Sequence, residues 1–242
     1  MRRRVLVTRP QPGADATSRK LAALGFEPIV LPLTETRAVG SAAVPDIASI
    51  DAIAATSANA LRFAPGDLIA PCVQKPCFVV GEETAAAARN AGFADPQAGP
   101  GDAAGLARLL AARGGPGARV LYLCGRVRLP AFEAALAQAG IAVVAVETYD
   151  TRATEVGAGD IAAASGGRPI DAALLHSAES ARRLAALATD AGGVLGTTRF
   201  YCLSPRIAAA LEGIDVSRIA VAGNPNEHSL LDRLRGDCGN PP

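Results

Sequence analysis

The side chains best placed for binding chemistry lie in loops that directly follow short apolar runs. The seven loops are TRPQPG (8–13), ATSANA (55–60), VGEETA (80–85), LCGRVR (123–128), LHSAES (175–180), LSPRIA (203–208) and AGNPNE (222–227). A loop that opens a helix offers unpaired backbone N–H groups and about half a positive charge, which attract carboxylate or phosphate. Any single Ser, Thr or Asn among them is better explained as a helix cap. As a set, the loops predict a site for an anionic ligand.

One tyrosine is the candidate for proton chemistry. Tyr149 stands in VVAVETYDTR (143–152), and the similar stretch PIVLPLTETR (28–37) has Thr34 at the matching position. A phenol with an unperturbed pKa of about 10 is protonated at neutral pH and can donate to a leaving oxygen. The β-propensity of tyrosine equally fits an ordinary strand residue. The residues alone leave these two interpretations open.

Other catalytic apparatus is missing from the sequence. There is no Walker motif and no GxSxG, and GPGDAAG (99–105) has one residue too many for a dinucleotide fingerprint. His176 ends an apolar run, which is typical of a structural role, and His228 lies in a polar segment typical of the surface. The five cysteines form no CxxC pair, a pattern typical of buried reduced thiols. We therefore expect neither a metal nor a cofactor.

Composition and charge limit the remaining classes of protein. A formal net charge of +1, 4% aromatic residues and the absence of Trp argue against nucleic-acid binding. The opening MRRRVLV is followed by no long apolar segment of the kind found in secretion signals. No apolar stretch approaches the ~20 residues of a membrane span. We expect a cytoplasmic protein without membrane contact, and a monomer because no helix shows an exposed apolar face.

The chain is internally duplicated. A shift of 115 positions places VLVTRP (5–10) on VLYLCG (120–125), Gly25 on Gly140, and Thr36-Arg37 on Thr151-Arg152. Each copy reads as a strand, a helix ended by glycine, and a second strand. A second set follows, because DAIAATSANALRF (51–63) matches DAALLHSAESARR (171–183) and CFVVGEETAAAARNAG (77–92) resembles FYCLSPRIAAALEGI (200–214).

Alternating strands and helices of this kind predict an α/β fold of two similar domains, each with a parallel sheet flanked by helices. Ligands of open parallel sheets bind beyond the carboxyl ends of the strands, which is where the seven loops lie. Asp51 and Asp171 begin strands at the opposite edge, so we interpret them as structural. The repeat alone permits two consecutive domains, 1–115 and 116–242, as well as an interleaved arrangement.

The order of the motifs resembles the uroporphyrinogen-III synthase family. VLVTRP, DAIAATSANALRF, VVGEETAAAARNAGF followed by GDAAGLARLL, and ETYDTR carry the resemblance from Val5 to about Leu234. It implies interleaved domains, with residues 1–34 plus 153–242 in the first and 38–147 in the second. It also implies that two extended hinge strands, 35–37 and 148–152, join them.

The resemblance implies a lyase of heme, siroheme or cobalamin biosynthesis. Its substrate would be hydroxymethylbilane, a linear tetrapyrrole with eight carboxylates. Loss of water would give an azafulvene, and attack on it would form a spiro intermediate that recloses with ring D inverted. Holding the flexible chain in one fold is then most of the task. Tyr149 matches the family's hinge tyrosine and becomes the catalytic acid, and no cofactor is implied.

Positions that match family contacts are Ser57, Thr84 and Ser177, and Arg199 lies near a basic position of some members. Ile207 stands where some members have a threonine, with Arg206 beside it. We interpret Arg128 as a surface charge in preference to a substrate contact. The predicted substrate-binding residues are Thr8, Arg9, Thr56, Ser57, Asn59, Gly81, Thr84, Gly125, Arg126, Ser177, Ala178, Arg199, Ser204 and Arg206.

Two rival functions remain at this point. The first is a two-domain protein that binds a small anionic molecule without catalysis, and the lack of a secretion signal argues against its periplasmic type. The second is a nucleotide-dependent tetrapyrrole methyltransferase, which the missing glycine fingerprint disfavours. As partners we expect hydroxymethylbilane and, transiently, the synthase that produces it.

Overall fold

A computed structural model of the chain describes residues 2–40, 44–128, 130–188 and 193–238. The strands are β1 (Arg4–Val7), β2 (Glu27–Val30), β3 (Thr34–Ala38), β4 (Ala52–Ala55), β5 (Cys77–Val79), β6 (Gln97–Ala98), β7 (Arg119–Gly125), β8 (Ala142–Ala153), β9 (Ala172–Leu175), β10 (Arg199–Cys202) and β11 (Ile219–Val221). The α-helices are α1 (Gly13–Ala23), α2 (Ala58–Arg62), α3 (Gly66–Ile69), α4 (Glu82–Asn90), α5 (Ala103–Gly114), α6 (Ala131–Gln138), α7 (Ala158–Ser165), α8 (Ala178–Ala188), α9 (Pro205–Ala208) and α10 (Glu227–Cys238). Single 3₁₀ turns span Ile47–Ser49, Ala70–Cys72 and Val216–Arg218.

The chain divides into two compact units. Unit 1 comprises residues 1–35 and 152–242, and unit 2 comprises residues 36–151. The divisions fall inside β3 and β8, the two strands that carry the chain from one unit into the other. Within the described residues, no helix is both long and apolar enough to cross a membrane.

Unit 1 is built on a parallel sheet in the order β11-β10-β9-β1-β2. Every residue of β1 is buried, because helices cover both faces of the sheet. Leu6 packs into the cluster on one face, and its neighbours Val5 and Val7 pack into the cluster on the other. This burial on both faces explains why the strand reads as a continuous apolar run.

Unit 2 repeats the plan in a sheet ordered β3-β8-β7-β4-β5-β6. The pairs from β8 to β6 are parallel. Ile53 and Leu121 pack on one face, and Ala54 and Tyr122 pack on the other. The predicted class, an α/β fold with two mostly parallel sheets flanked by helices, is confirmed.

Strand pairing shows how the duplicated sets combine. β1 pairs with β9, and β4 pairs with β7. Unit 1 therefore joins the strand–helix–strand set β1–α1–β2 to the second copy of the other set, which lies far away in sequence. Unit 2 joins β7–α6–β8 to the first copy of the other set, which directly precedes β7. The two sheets then have matching orders, in which β11-β10-β9-β1-β2 corresponds to β6-β5-β4-β7-β8. The consecutive arrangement that the repeat alone permitted is wrong.

The predicted glycine stops are present in both copies. Gly25 follows α1 with φ of 84°, and Gly140 follows α6 with φ of 73°. An L-residue with a side chain rarely adopts such angles, so glycine here lets the helix end and the chain turn into the next strand.

Candidate active site

The loops at the carboxyl edge of the unit 2 sheet bring several predicted residues together. Thr56 and Ser57 follow β4, Gly81 and Thr84 follow β5, and Gly125 ends β7. Since parallel strands end at the same edge, these residues are collected within one unit.

Tyr149 reaches this edge because β8 contains a bulge. Cys124 pairs with Glu147 and Gly125 pairs with Tyr149, so Thr148 is the extra residue. Val144 and Val146 point to one face of the sheet, and Tyr149 packs against the same cluster although the spacing from Val146 is odd. A bulge shifts the alternation in this way and re-aims the side chain that follows.

The bulge is held by the side chain of Thr148. This residue is fully buried, and its hydroxyl donates to the Ala60 carbonyl of α2 at 2.8 Å, with a longer contact of 3.4 Å to the Cys124 carbonyl. Sequence reasoning missed Thr148 because a single extra residue in a strand leaves no mark on the apolar pattern.

The Tyr149 ring lies directly over Gly125. A Cβ at Gly125 would be 2.6 Å from Cζ of Tyr149 and 2.9 Å from its hydroxyl oxygen. The ring is half-buried, and its centroid is 6.4 Å from that of Phe63. Its hydroxyl makes no hydrogen bond to any described residue. Gly125, predicted as a substrate-binding residue, therefore provides the space that the phenol occupies.

A second tyrosine, which the sequence analysis did not single out, lies at the same edge. The Tyr122 and Thr56 hydroxyls are 2.6 Å apart. Tyr122 is 1% exposed, and burial raises the pKa of its phenol to about 12. In the first copy the matching residue is Val7, so the asymmetry was visible in the sequence even though its meaning was not.

Of the other predicted residues of unit 2, Ser57 and Gly81 cap helices, Asn59 is half-buried and Thr84 is buried. Ser57 caps α2 by accepting from the Asn59 amide at 3.2 Å, while the Asn59 side chain accepts from Arg62. Thr84 is 4% exposed, so its side chain is part of the packing of α4. Gly81 caps α4 through its backbone, with no side-chain cap bond.

The arginines after β7 are paired with carboxylates. Arg126 contacts Glu147 and Asp150, each at 3.3 Å. Arg128 contacts Glu147 at 3.1 Å and Glu133 at 3.3 Å. Arg126, which was predicted to bind substrate, is paired with two carboxylates of its own unit. Arg128, which was interpreted as a surface charge, is also paired with two carboxylates.

In unit 1, Thr8 and Arg9 follow β1. Thr8 is fully buried and donates its hydroxyl to the Leu174 carbonyl at 2.9 Å, so this side chain holds two strands together.

Arg9 contacts Glu227 at 3.2 Å. Glu227 also binds Lys20 and Thr17. Burial acts to raise the pKa of Glu227, but the hydrogen bonds from Lys20 and Thr17 and the charge of Arg9 bring it below its usual value.

Next to this carboxylate lies His176, at the end of β9. Its Nε2 is 3.9 Å from Glu227, and neither ring nitrogen has a hydrogen-bond partner in the described part of the chain. Burial, and then the charge of Arg9, lower the pKa of His176 to about 3. The structural role predicted for His176 is therefore that of a buried neutral imidazole.

The remaining predicted residues of unit 1 lie at the starts of α8 and α9. The Ser177 hydroxyl accepts from the Ser180 amide at 3.1 Å, and Ala178 begins α8. Ser204 precedes α9 without a side-chain cap bond, and Arg206 is exposed. Ile207 is 3% exposed in the core, so the position serves packing.

Arg199 is not brought to the loop edge. It opens β10, at the amino end of the strand, where it pairs with Asp237 at 3.3 Å and lies over the Tyr201 ring. Because Arg199 is the first residue of β10 and pairs with Ala172 at the start of β9, it lies at the amino edge of the sheet, whereas Ser204 follows the strand at the carboxyl edge.

Comparison with families of known proteins decides the identity. The family model described as uroporphyrinogen-III synthase HemD matches residues 15–232. This chain belongs to the uroporphyrinogen-III synthase family. Its activity is accordingly that of a uroporphyrinogen-III synthase, a cyclising lyase of tetrapyrrole biosynthesis that acts on hydroxymethylbilane.

Solved structures of other synthases have the same fold. The uroporphyrinogen-III synthetase of Helicobacter pylori is 17% identical, with 98% of this chain and 99% of that chain covered and a TM-score of 0.65. A mutant uroporphyrinogen III synthase of the extremely thermophilic bacterium Thermus thermophilus is 21% identical, with 98% and 97% covered and a TM-score of 0.56. A comparison with curated proteins found no match.

Proposed function

We propose that Tyr149 is the general acid of the synthase reaction and that the carboxyl edge of the unit 2 sheet holds the pyrrole ring that loses its hydroxyl group. The observation that carries the proposal is the position of the Tyr149 phenol. It lies over Gly125, is half-buried, and has no hydrogen bond to a described residue. A phenol in that position is free to bond to a substrate oxygen.

The reaction makes modest demands on such a group. The phenol protonates the hydroxymethyl oxygen, and the carbon–oxygen bond breaks with electrons from the pyrrole nitrogen. Water departs, and the ring that carried it becomes an azafulvene. Attack by a substituted pyrrole carbon gives a spiro intermediate, which fragments and recloses with ring D inverted. The ring carbon that forms the last bond then loses a proton, which restores the phenol. The substrate supplies the electrons, so the protein contributes one proton and a fixed orientation.

Tyr122 is a poor alternative as the acid. Its hydroxyl is bonded to Thr56, its side chain is 1% exposed, and burial raises the pKa of its phenol to about 12. A group that cannot reach substrate cannot protonate it, because proton transfer requires hydrogen-bond contact. Tyr122 instead fixes the orientation of Thr56 at the edge of the site.

For substrate carboxylates we propose backbone amides at the start of α4. This helix has nine residues, and no described residue accepts a hydrogen bond from the N–H groups of Glu82 and Glu83. Gly81 leaves the approach to them open, since a Cβ there would meet only Gly101 Cα at 3.6 Å. Such amides favour an anion through hydrogen bonds and the helix dipole.

The finer organisation is also part of the proposal. We take units 1 and 2 as the family's two domains, with residues 35–37 and 148–152 as hinges. Burial raises the pKa of the Cys77 and Cys202 thiols to about 12, and the described free cysteines are all buried. These thiols support a reducing compartment such as the cytoplasm. A monomeric state and transient contact with the enzyme that makes hydroxymethylbilane stay predictions.

The test is the substitution Tyr149→Phe, with Tyr122→Phe as the matched control. Hydroxymethylbilane is supplied, the products are oxidised, and the type I and type III isomers are separated. We expect Tyr149→Phe to lower the rate of type III formation at least tenfold, because general acid catalysis typically contributes more than that. The control removes a buried phenol and should lower the rate less than threefold.

Circular dichroism should show both variants folded. An unchanged rate in Tyr149→Phe would remove this residue from the mechanism, and an equal loss in both variants would assign the effect to packing. The unaltered chain must yield the type III isomer above the rate of the blank.

A further inference from the structure

Unit 2 has a cavity at the edge of its sheet opposite the candidate active site. It has a volume of about 940 Å³ and is lined by the starts of β4, β5 and β7, by the segment that follows α4 and by the end of α5. Phe78, Phe93 and Leu110 contribute apolar side chains, and Asp51 and Asp95 contribute carboxylates. A cavity of this size is large enough for a small molecule.

The duplication shows what fills the matching place in unit 1. The equivalent strand pairs are Phe78–Gln97 in unit 2 and Tyr201–Ala220 in unit 1. The turns before these strands also match, because the Lys75 amide donates to Cys72 as the Thr198 amide donates to Leu195. An offset of 123 positions relates all of these residues, and it equates Asp95 with Arg218 and Pro76 with Arg199.

In unit 1 this edge is filled by two guanidinium groups. Arg218 donates from Nε to the Thr198 carbonyl at 2.9 Å and from Nη2 to the Leu195 carbonyl. It lies 5.2 Å from the centroid of Phe200. Arg199 lies 6.0 Å from the centroid of Tyr201. Arg218 thus binds two carbonyls at the edge, and the two arginines together cover two aromatic rings.

In unit 2 neither arginine is present. Pro76 carries no charge where unit 1 has Arg199, and Asp95 carries a negative charge where unit 1 has the positive charge of Arg218. The carbonyls equivalent to those bound by Arg218 belong to Cys72 and Lys75, and no side chain of a described residue donates to either. The Cys72 carbonyl accepts the Lys75 amide at 2.9 Å, and of these two residues Lys75 lines the cavity. The carboxyl end of α5, at Gly114, also lines the cavity, and a helix carries about half a negative charge at this end.

We propose that this cavity binds a small organic cation with a planar guanidinium or amidinium group on an apolar body. The cation takes the place that Arg218 fills in unit 1. It donates to the Lys75 carbonyl and pairs with Asp95, and its apolar body packs on Phe78 and Phe93, all of which line the cavity. The proposal concerns the edge away from Tyr149 and does not rest on the proposed catalytic role.

Two cationic side chains on the rim weaken the binding of a cation, but they do not make the cavity a site for anions. Lys75 is half-buried and Arg113 is exposed, and both line the cavity. Their long side chains can turn into water, whereas the backbone carbonyls and the end of α5 cannot move. Arg113→Gln should therefore strengthen binding of a cation, whereas in an anion site the same change would weaken binding.

The test uses the full chain labelled with ¹⁵N and titrated with benzamidine, an aromatic amidinium. Benzamide is the control ligand, with the same shape and no charge. We expect saturable shifts of the amide signals of Lys75, Asp95 and Gly117 with benzamidine, and at least tenfold weaker binding of benzamide. Asp95 is exposed, so Asp95→Asn should weaken benzamidine binding about two- to fivefold, which is the usual range for an exposed ion pair.

A second variant restores the arginine of unit 1. Asp95→Arg should abolish benzamidine binding and leave synthase turnover unchanged, and Glu212→Arg is the control with the same change of charge on an exposed residue of unit 1. Equal binding of benzamide, unaltered binding in Asp95→Arg, or tighter binding of benzoate than of benzamidine would each overturn the proposal.

Discussion

At the scale of single residues, two tyrosines of unit 2 have opposite surroundings. Tyr122 is buried and hydrogen-bonded to Thr56, and its pKa is raised. Tyr149 is half-buried over Gly125 with its hydroxyl unbonded to described residues. The same type of side chain therefore serves packing at Tyr122 and is available for chemistry at Tyr149.

His176 is the residue in which burial has the largest consequence for pH. Arg9, from the loop after β1, and Lys20, from α1, lie near the imidazole and disfavour its charged form, and Glu227, from α10, favours it. Burial outweighs the carboxylate and lowers the pKa of His176 to about 3. A histidine that stays neutral when folded and takes up a proton when unfolded destabilises the fold in acid.

The substitution His176→Phe tests this reasoning. Because the folded pKa lies below the unfolded value of about 6.5, the unfolded chain binds one more proton between pH 6.5 and 3. The free energy of unfolding then falls by about 1.4 kcal/mol for each unit by which the pH is lowered within that window. We expect His176→Phe to remove this part of the slope, measured by urea unfolding at pH 7.5, 6.0 and 5.0.

The control is His228→Gln, because His228 is exposed, with a contact to Asp232 on the same helix. It should keep the slope of the unaltered chain. A slope in His176→Phe equal to that of the control would show that the imidazole is charged in the folded protein.

At the scale of elements, the bulge in β8 links the strand to α2. Thr148 donates to Ala60 at 2.8 Å, and this bond supports the turn in the strand that aims Tyr149. A strand without the bulge would place the tyrosine on the opposite face of the sheet, since side chains alternate from residue to residue.

We expect Thr148→Val to lose about 1–2 kcal/mol of stability, because a buried carbonyl is left without its donor. Turnover should fall as well, and Thr148→Ser should restore both by keeping the hydroxyl. Thr151→Val, at a half-buried position of the same strand, is the control. Stability loss in Thr148→Val with full turnover would show that the bulge does not position Tyr149.

At the scale of the whole molecule, each unit has its own apolar clusters on both faces of its sheet. Unit 2 is continuous in sequence, whereas unit 1 is assembled from two segments. A continuous unit with its own core has what it needs to fold alone.

We therefore expect residues 34–153, expressed alone, to fold. Urea should unfold this fragment in one cooperative transition, and Leu121→Ala should cost about 2–5 kcal/mol, as truncation of a buried leucine does. Circular dichroism measures both. A gradual loss of signal without a transition would show that unit 2 depends on unit 1.

Much of the fold and part of the site could be read from the residues. The apolar runs of β1 and β7 and the glycines after α1 and α6 follow local rules that a sequence displays directly. The loops after β4 and β5 were placed correctly because parallel strands end at one edge. Tyr149 was singled out because the first copy has Thr34 at the matching position, and its catalytic role stays a prediction.

What the sequence determined by itself was the set of elements and the family, because backbone propensity and apolar periodicity act over neighbouring residues. Only the tertiary structure decided that β1 pairs with β9, that Thr148 forms a bulge, and that Arg199 lies away from the loops. These depend on hydrogen bonds and packing between residues far apart in the chain, and no local pattern records which distant partner is chosen.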